Sequence, residues 1–255
     1  MKQFFSLFLL VLALLTGNVQ AQTCCIPEGA DFKLLAMNAD FKAAHLAPEP
    51  LNYTPQAGSM ITFKTLDGKD GKAFYVPSDQ PTNKVLLIFH EWWGLNDYIK
   101  REAERWQALL GNVDIYAVDL YDGKVAATSE EAGKLSGGLD QKRGENIVKG
   151  LLSTVGKDKM IATLGWCMGG TWSFKATMLA EKRAAGCVMY YGFPEKEEKK
   201  IKGLSADVLY VWASRDKFIT RDVVEAFGRQ VTANGKAVYD IHFRCRPCVC
   251  EPEQS

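Results

Sequence analysis

The sequence is poor in histidine and has no excess of charge. Its 255 residues include three histidines, at positions 45, 90 and 242, so a reaction that needs an imidazole base has few candidates. Lysine and arginine number 31 against 30 aspartates and glutamates, and the net charge of +1 argues against nucleic acid or an anionic membrane as a partner. No internal repeat or low-complexity tract is present, which excludes repeat arrays. With 47% hydrophobic and 24% charged residues, the chain has the composition of one globular domain.

The N-terminal hydrophobic run is short for a membrane span. It extends from Phe4 to Leu15, roughly twelve residues, whereas a spanning helix needs about 20. Lys2 precedes the run, and a polar stretch ending in Val19-Gln20-Ala21 follows it. This layout predicts a signal peptide over residues 1–21, cleaved after Ala21, and a secreted or periplasmic protein. The alternatives are a membrane anchor and a lipoprotein, although the residues before Cys24 lack the leucine and small residue of a usual lipoprotein signal.

Seven cysteines in an exported protein suggest disulfides, but their distribution is uneven. Two lie near the mature N-terminus, two in the body and three in the tail: Cys24 and Cys25, Cys167 and Cys187, and Cys245, Cys248 and Cys250. The tail group has an alternative interpretation as metal ligands, but three clustered sulfurs without a fourth ligand are a weak zinc signal.

The order of the predicted elements indicates an α/β fold. Residues 22–58 are proline-rich and predict an N-terminal arm with a short helix near 31–45. Segments 60–65 and 72–77 alternate apolar and polar residues, which is typical of a β-hairpin. Apolar strands near 85–90, 113–121, 160–165, 185–192, 207–213 and 236–243 then alternate with helices near 97–110, 129–136, 140–154, 168–181 and 220–233. This order predicts a mostly parallel sheet with helices on both faces, in a domain over residues 59–243.

Three strand ends carry reactive groups, at the edge of a parallel sheet where ligands usually bind. They are residues 90–94 (HEWWG), 165–170 (GWCMGG) and 213–216 (ASRD). The second has the pattern G-x-C-x-G of a nucleophile elbow with sulfur in place of oxygen. Such a turn is strained, so the residues next to the cysteine need minimal side chains. The partial positive charge at the N-terminus of the following helix favours the thiolate form of Cys167. The alternative is a small buried cysteine in a glycine-rich turn.

Two carboxylates at the other strand ends are candidate partners of Cys167. Asp216 follows a late strand, which is the position of the acid in a nucleophile–acid–histidine triad; the alternative is a solvated aspartate in a turn. Glu91 precedes two tryptophans, and an acid beside aromatic surface tends to be desolvated or paired. The alternative for Glu91 is a salt-bridged carboxylate at the rim.

The sequence resembles the dienelactone hydrolase family of α/β-hydrolases over roughly residues 58–242. The matching segments, in the family's order, are HEWWGLNDYIKREAERWQALLG, VDIYAVDLYDGK, LGWCMGG, VMYYG and WASRD. The resemblance implies that Cys167 is the nucleophile, that Asp216 is the triad acid and that Glu91 helps to govern ionisation of the thiol. It also implies that the backbone N–H groups of Trp92 and Met168 form an oxyanion hole. These segments do not place the arginines with which the family holds a substrate carboxylate.

The triad histidine has no counterpart where the family carries it. His45 lies in the arm, His90 ends a buried strand and is interpreted as structural, and His242 lies inside the last predicted strand. The family continues with a loop of roughly D-x-x-H-x-F and a final helix, whereas residues 243–255 here are FRCRPCVCEPEQS. A permitted choice of codons for this segment, shifted by one base, encodes S-D-A-D-H-A-F-A-N-P-S-N, which contains such a loop. We therefore expect residues 244–255 to be an aberrant, frameshifted tail, with the final helix missing.

The sequence thus predicts a hydrolase of the dienelactone hydrolase type, which cleaves a small-molecule carboxylic ester or lactone through Cys167. We expect no cofactor, no metal, no nucleic-acid partner, no membrane partner after signal cleavage, and a monomer. Without its histidine the chain is expected to be weakly active or inactive, and poorly stable. The alternatives are a general carboxylesterase or thioesterase, a catalytically dead binding protein, and a secreted redox or metal-binding protein.

Overall fold

An eight-stranded, mostly parallel sheet forms the centre of the fold. The computed structural model describes residues 30–45 and 47–243, so the predicted signal peptide and the predicted tail lie outside the described residues. The strands are β1 (Ser59–Lys64), β2 (Asp70–Val76), β3 (Lys84–Phe89), β4 (Asp114–Asp119), β5 (Met160–Trp166), β6 (Ala184–Tyr190), β7 (Val208–Ala213) and β8 (Val238–Phe243). Their spatial order is β1-β2-β4-β3-β5-β6-β7-β8. The hairpin strand β2 pairs antiparallel with β1 and β4, and the other pairs are parallel.

Helices cover both faces of this sheet. They are α1 (Ala30–Met37), α2 (Ala39–Ala44), α3 (Asp97–Leu110), α4 (Ser129–Gly137), α5 (Gln141–Thr154), α6 (Met168–Ala180), α7 (Glu198–Ile201) and α8 (Arg221–Ala233), with a 3₁₀ turn at Glu181–Arg183. Alternate residues of β3 enter different cores: Leu87 belongs to the core that includes residues of α1, α4, α5 and α6, whereas Ile88 belongs to the core that includes residues of α3. Burial on both faces explains why β3 is continuously apolar. Among the described residues, no helix combines the length and hydrophobicity needed to cross a membrane.

The arm contains two helices instead of the single helix predicted near 31–45. The break lies at Asn38, whose side chain accepts the Phe41 N–H at 3.0 Å and so caps the N-terminus of α2. Asparagine is among the strongest N-cap residues because its short side chain satisfies an otherwise unpaired helical N–H. The chain therefore turns between α1 and α2, and both helices contact α4.

Apolar side chains remain exposed on β8, the outer strand of the sheet. Tyr239 is 60% exposed and Ile241 is 44% exposed. A missing final helix would leave such side chains exposed, and its absence stays a prediction. The segment that follows β8 lies outside the described residues.

Candidate active site

The three reactive strand ends lie at one edge of the sheet. Because β3, β5, β6 and β7 are mutually parallel, their carboxyl ends point the same way. Cys167 and Asp216, which follow β5 and β7, line a single pocket. The structure therefore brings together the two groups that the sequence places at separate strand ends.

Cys167 occupies a strained turn between β5 and α6. Its backbone has φ 56° and ψ −123°, a conformation that residues with a Cβ rarely adopt. Its N–H donates to the Tyr190 carbonyl at 2.9 Å, and its carbonyl accepts the Gly170 N–H at 3.0 Å. These bonds fix the turn that the G-x-C-x-G pattern predicts, with the cysteine directly before the first residue of a helix.

The glycines beside Cys167 are required by close packing of the backbone. A Cβ on Gly165 would lie 2.1 Å from the carbonyl oxygen of Gly169, and a Cβ on Gly169 would lie 2.3 Å from that of Phe89. These contacts are with backbone atoms, so a larger residue at either position forces the main chain to move. The start of α6 is thereby held against the end of β3, which brings Cys167 close to the segment containing Glu91 and Trp92.

Cys167 faces a narrow and largely apolar pocket, and it is only 5% exposed. The pocket is lined by Cys167, Asp216 and Tyr191 together with six apolar side chains: Phe32, Leu35, Phe41, Phe193, Phe218 and Ile219. Three of these side chains belong to α1 and α2. The N-terminal arm is therefore part of the wall of the site, which the sequence pattern does not predict.

Asp216 is oriented by the loop that follows β7. Its Oδ1 accepts the N–H groups of Phe218 at 2.7 Å and Ile219 at 3.1 Å, and its own N–H donates to the Ala213 carbonyl at 2.8 Å. Burial raises the pKa of Asp216, while the two backbone hydrogen bonds oppose that change. The side chain is therefore a positioned carboxylate at the pocket and not a freely solvated turn residue.

Glu91 lies beside the pocket, outside its lining. It is half-buried, and the Tyr191 hydroxyl donates to its Oε1 at 3.3 Å. Tyr191 lines the pocket, so this bond connects Glu91 to the site. The next residue, Trp92, is fully buried, and Met168 begins α6, where the first N–H groups have no partner within the helix.

Two tyrosines at the site are missing from the sequence-based prediction. Tyr191 lines the pocket and has a φ of 40°. The Tyr121 hydroxyl lies 3.3 Å from both the Trp92 carbonyl and the Met168 sulfur. Burial, and secondarily the charge of Cys167, raises the pKa of Tyr121 well above its usual range, so this hydroxyl keeps its proton. Both tyrosines closely follow strand ends, so the rule that identifies Cys167 could have found them.

The two histidines with described side chains are both buried and do not line the pocket. His90 Nδ1 donates to the Glu91 carbonyl at 2.6 Å, and its Nε2 accepts the Leu120 N–H at 3.2 Å. Burial lowers the pKa of His90 to about 4. His45 Nδ1 lies 2.7 Å from the Phe41 carbonyl, its pKa is lowered by burial, and its Nε2 has no hydrogen-bond partner among the described residues. His242 lies in β8.

The two thiols of the body are unpaired, and within the described residues no metal-binding cluster surrounds them. Cys167 and Cys187 are both free cysteines. Across residues 30–45 and 47–243, no three histidine, cysteine, aspartate or glutamate side chains come together as metal ligands. The tail cysteines, with their alternative metal interpretation, lie outside the described residues.

A mostly parallel sheet with a strained nucleophile turn between a strand and a helix defines the α/β-hydrolase class. A dienelactone hydrolase-like promiscuous phosphotriesterase from metagenomic libraries has this fold, with a TM-score of 0.62 and 15% identity over 77% of this chain and 86% of that chain. A bacterial brefeldin A esterase has a TM-score of 0.57 and 12% identity over 89% of this chain and 79% of that chain. At such low identities these structures establish the fold.

The chain belongs to the dienelactone hydrolase family, whose model matches residues 72–243. A protein of Aquifex aeolicus (strain VF5) with the provisional name carboxymethylenebutenolidase is 24% identical over 189 residues, which cover 70% of this chain and 80% of the relative. Protein usf of Aquifex pyrophilus is 27% identical over 191 residues, with the same coverage of 70% and 80%. The chain is therefore a hydrolase of the dienelactone hydrolase type.

Proposed function

We propose that this chain hydrolyses a carboxylic ester or lactone with Cys167 as the nucleophile. One observation supports the proposal most strongly: Cys167 stands in the strained turn before α6 and shares a pocket with Asp216. A thiol that only fills space in a core needs no positive φ, because a relaxed backbone serves that purpose equally well. Strain of this kind persists where the surrounding structure enforces it, and it clusters at active sites.

In the proposed reaction, the Cys167 thiolate attacks the carbonyl carbon and a carbon–sulfur bond forms. The developing oxyanion accepts hydrogen bonds from the backbone N–H groups of Trp92 and Met168. Collapse of the tetrahedral intermediate breaks the carbon–oxygen bond to the leaving group, and the departing alkoxide takes up a proton. Water then attacks the acyl-thioester, which releases the carboxylic acid and restores the thiol.

Neither of the two histidines with described side chains, His45 and His90, is placed to act as a base in the second half of this reaction. The lone pair on His90 Nε2 is occupied by the Leu120 N–H, and His45 does not line the pocket. A positioned general base typically contributes about 10²–10⁴-fold to such a step. Acylation of Cys167 should therefore be faster than hydrolysis of the acyl-enzyme, and the full reaction should be slow.

Rapid mixing of the full chain with excess p-nitrophenyl acetate tests this proposal. We expect a burst of nitrophenolate close to one equivalent, followed by slow turnover, and one acetyl group on the peptide that contains Cys167. Cys167→Ala should abolish the burst, whereas Cys187→Ala, which removes the other buried thiol of the body, should retain it. A burst that survives Cys167→Ala would contradict the assignment.

A binding role without turnover is the second candidate, and the 5% exposure of Cys167 favours it. In that case the wild-type chain would show no burst with any activated ester but would bind an unreactive ester analogue saturably. A thioesterase would show a higher turnover with a thioester than with the oxygen ester of the same acid. The burst experiment with both substrates separates these possibilities.

A further inference from the structure

The N-terminal helices close over the proposed nucleophile. Phe32 and Leu35 of α1 and Phe41 of α2 line the pocket and are 8%, 8% and 2% exposed, respectively; we call them the roof residues. The Phe41 ring meets the Trp92 ring edge-on at 5.1 Å and the Phe218 ring edge-on at 5.9 Å. The roof therefore contacts the loops that follow both β3 and β7.

Specific contacts hold this roof against the body of the protein. The Ser129 hydroxyl, at the start of α4, donates to the His45 carbonyl at 2.8 Å. A Cβ on Gly133 would lie 2.8 Å from the Ala36 carbonyl oxygen, so α1 packs directly on the backbone of α4. A segment that only trailed across the surface would make neither contact. The roof is therefore a built part of the pocket wall.

The space beneath the roof is small, and its described lining carries no positive charge. About 10 Å³ is free between the lining side chains, which is roughly what one water molecule requires. In the part of the chain that the structure describes, none of the nine lining residues is lysine or arginine, and Asp216 is acidic. A substrate carboxylate would lie close to the acidic side chain of Asp216 at a poorly solvated site, which is unfavourable.

We propose that the roof residues form the acyl pocket and restrict the enzyme to small, uncharged acyl groups. This inference rests on the proposed function of Cys167. The roof sets the size limit, because a longer acyl chain has to displace Leu35 or Phe41. Asp216 sets the charge limit, so an ester or lactone with a free carboxylate near its carbonyl is a poor substrate.

Two neighbouring leucines on α1 provide a matched test. Leu35 lines the pocket, whereas Leu34 is 65% exposed. The acylation rate of Cys167 is measured in the full chain and in Leu34→Ala and Leu35→Ala, with p-nitrophenyl acetate, p-nitrophenyl hexanoate and the p-nitrophenyl monoester of adipic acid. We expect the wild type and Leu34→Ala to prefer acetate. Leu35→Ala should lower the acetate-to-hexanoate rate ratio by a factor on the order of 10.

The anionic adipate ester should react slowly in all three chains. Equal length preferences in the two leucine variants would overturn the size limit, and fast acylation by the adipate ester would overturn the charge limit. Circular dichroism confirms that each variant is folded. If Leu35→Ala does not fold, Leu35→Val replaces it, and the length preference should move in the same direction by a smaller factor.

A readout that does not depend on catalysis separates failure of this inference from failure of the proposed function. Iodoacetamide and N-hexyl iodoacetamide alkylate the thiol directly, and mass spectrometry quantifies the product at Cys167. If Cys167 is not an esterase nucleophile, no burst appears, but Leu35→Ala still raises the hexyl-to-unsubstituted alkylation ratio. If the burst appears but Leu35→Ala changes neither the acetate-to-hexanoate acylation ratio nor the hexyl-to-unsubstituted alkylation ratio, the roof inference fails while the proposed function stands.

Discussion

Replacing Cys167 by glycine should stabilise the fold relative to alanine while removing the proposed nucleophile. The residue is held at φ 56° and ψ −123°, and a side chain in such a region costs about 1–3 kcal/mol. Glycine has no Cβ and adopts this conformation without that cost. The greater freedom of glycine in the unfolded chain opposes the gain by about 0.5–1 kcal/mol. Cys167→Gly should therefore exceed Cys167→Ala in free energy of unfolding by about 1 kcal/mol.

The comparison with alanine isolates backbone strain from loss of the sulfur. Both variants lack the thiol, so contacts of the sulfur atom do not enter the difference between them. Ala108, an exposed residue of α3, serves as a control position at which glycine should be less stable than alanine. There, Ala108→Gly should lower the free energy of unfolding by about 1 kcal/mol, because glycine is a poor helix former.

Urea denaturation at pH 7, followed by tryptophan fluorescence and circular dichroism, gives these differences from the midpoints and slopes. The expected result is a reversal of sign: glycine is better than alanine at position 167 and worse at position 108. If glycine is worse at both positions, the turn at Cys167 stores no strain. Cys167 would then lack the backbone strain that distinguishes a nucleophile from a packed thiol.

Two further predictions concern the histidines. Burial lowers the pKa of His90 from 6.5 to about 4, so the native state is penalised progressively as the pH falls from about 6.5 to about 4, by about 3 kcal/mol in total. His90→Gln cannot be protonated at this position, so its free energy of unfolding should fall less between pH 7 and pH 4 than that of the wild type. If the free energy of unfolding depends on pH in the same way for both proteins, the prediction is wrong. Replacing residues 243–255 by the frame-shifted segment with its histidine should speed ester turnover by about 10²–10⁴-fold, and the same segment with alanine for that histidine should not.

The elbow and the sheet could be predicted from the sequence because their determinants are local. The strand β5 is mostly apolar, and the helix begins immediately after the cysteine. The glycines around Cys167 are required because a Cβ on Gly165 or Gly169 would lie only 2.1 to 2.3 Å from a backbone oxygen. Each of these features has its cause within a few residues. The position of Asp216 follows from the same logic, because the carboxyl ends of parallel strands meet at one edge.

The roof could not be predicted, because its contacts join segments that are far apart in the sequence. Phe41 packs on Trp92 and Phe218, and no periodicity in residues 22–58 identifies those partners.

The buried face of α3 could also not be predicted fully from the sequence. Leu109 follows Ile99, Ala103 and Trp106 at helical spacing, which favours burial on the same face, but it is 66% exposed. Gln107 is buried instead, where its amide donates to Asp79 at 2.9 Å.

The positions of the proposed nucleophile and acid do not depend on a histidine. The turn at Cys167 is fixed by backbone bonds to Tyr190 and Gly170, and Asp216 is fixed by the N–H groups of Phe218 and Ile219. Attack on an activated ester needs only the thiolate and the N–H donors, whereas attack of water on the acyl-thioester needs a base. A chain without the triad histidine should therefore be slowed selectively in the second step. If the predicted absence of this histidine holds, acyl-enzyme should accumulate, and the ratio of the burst rate to the steady-state rate measures how much base catalysis the second step lacks.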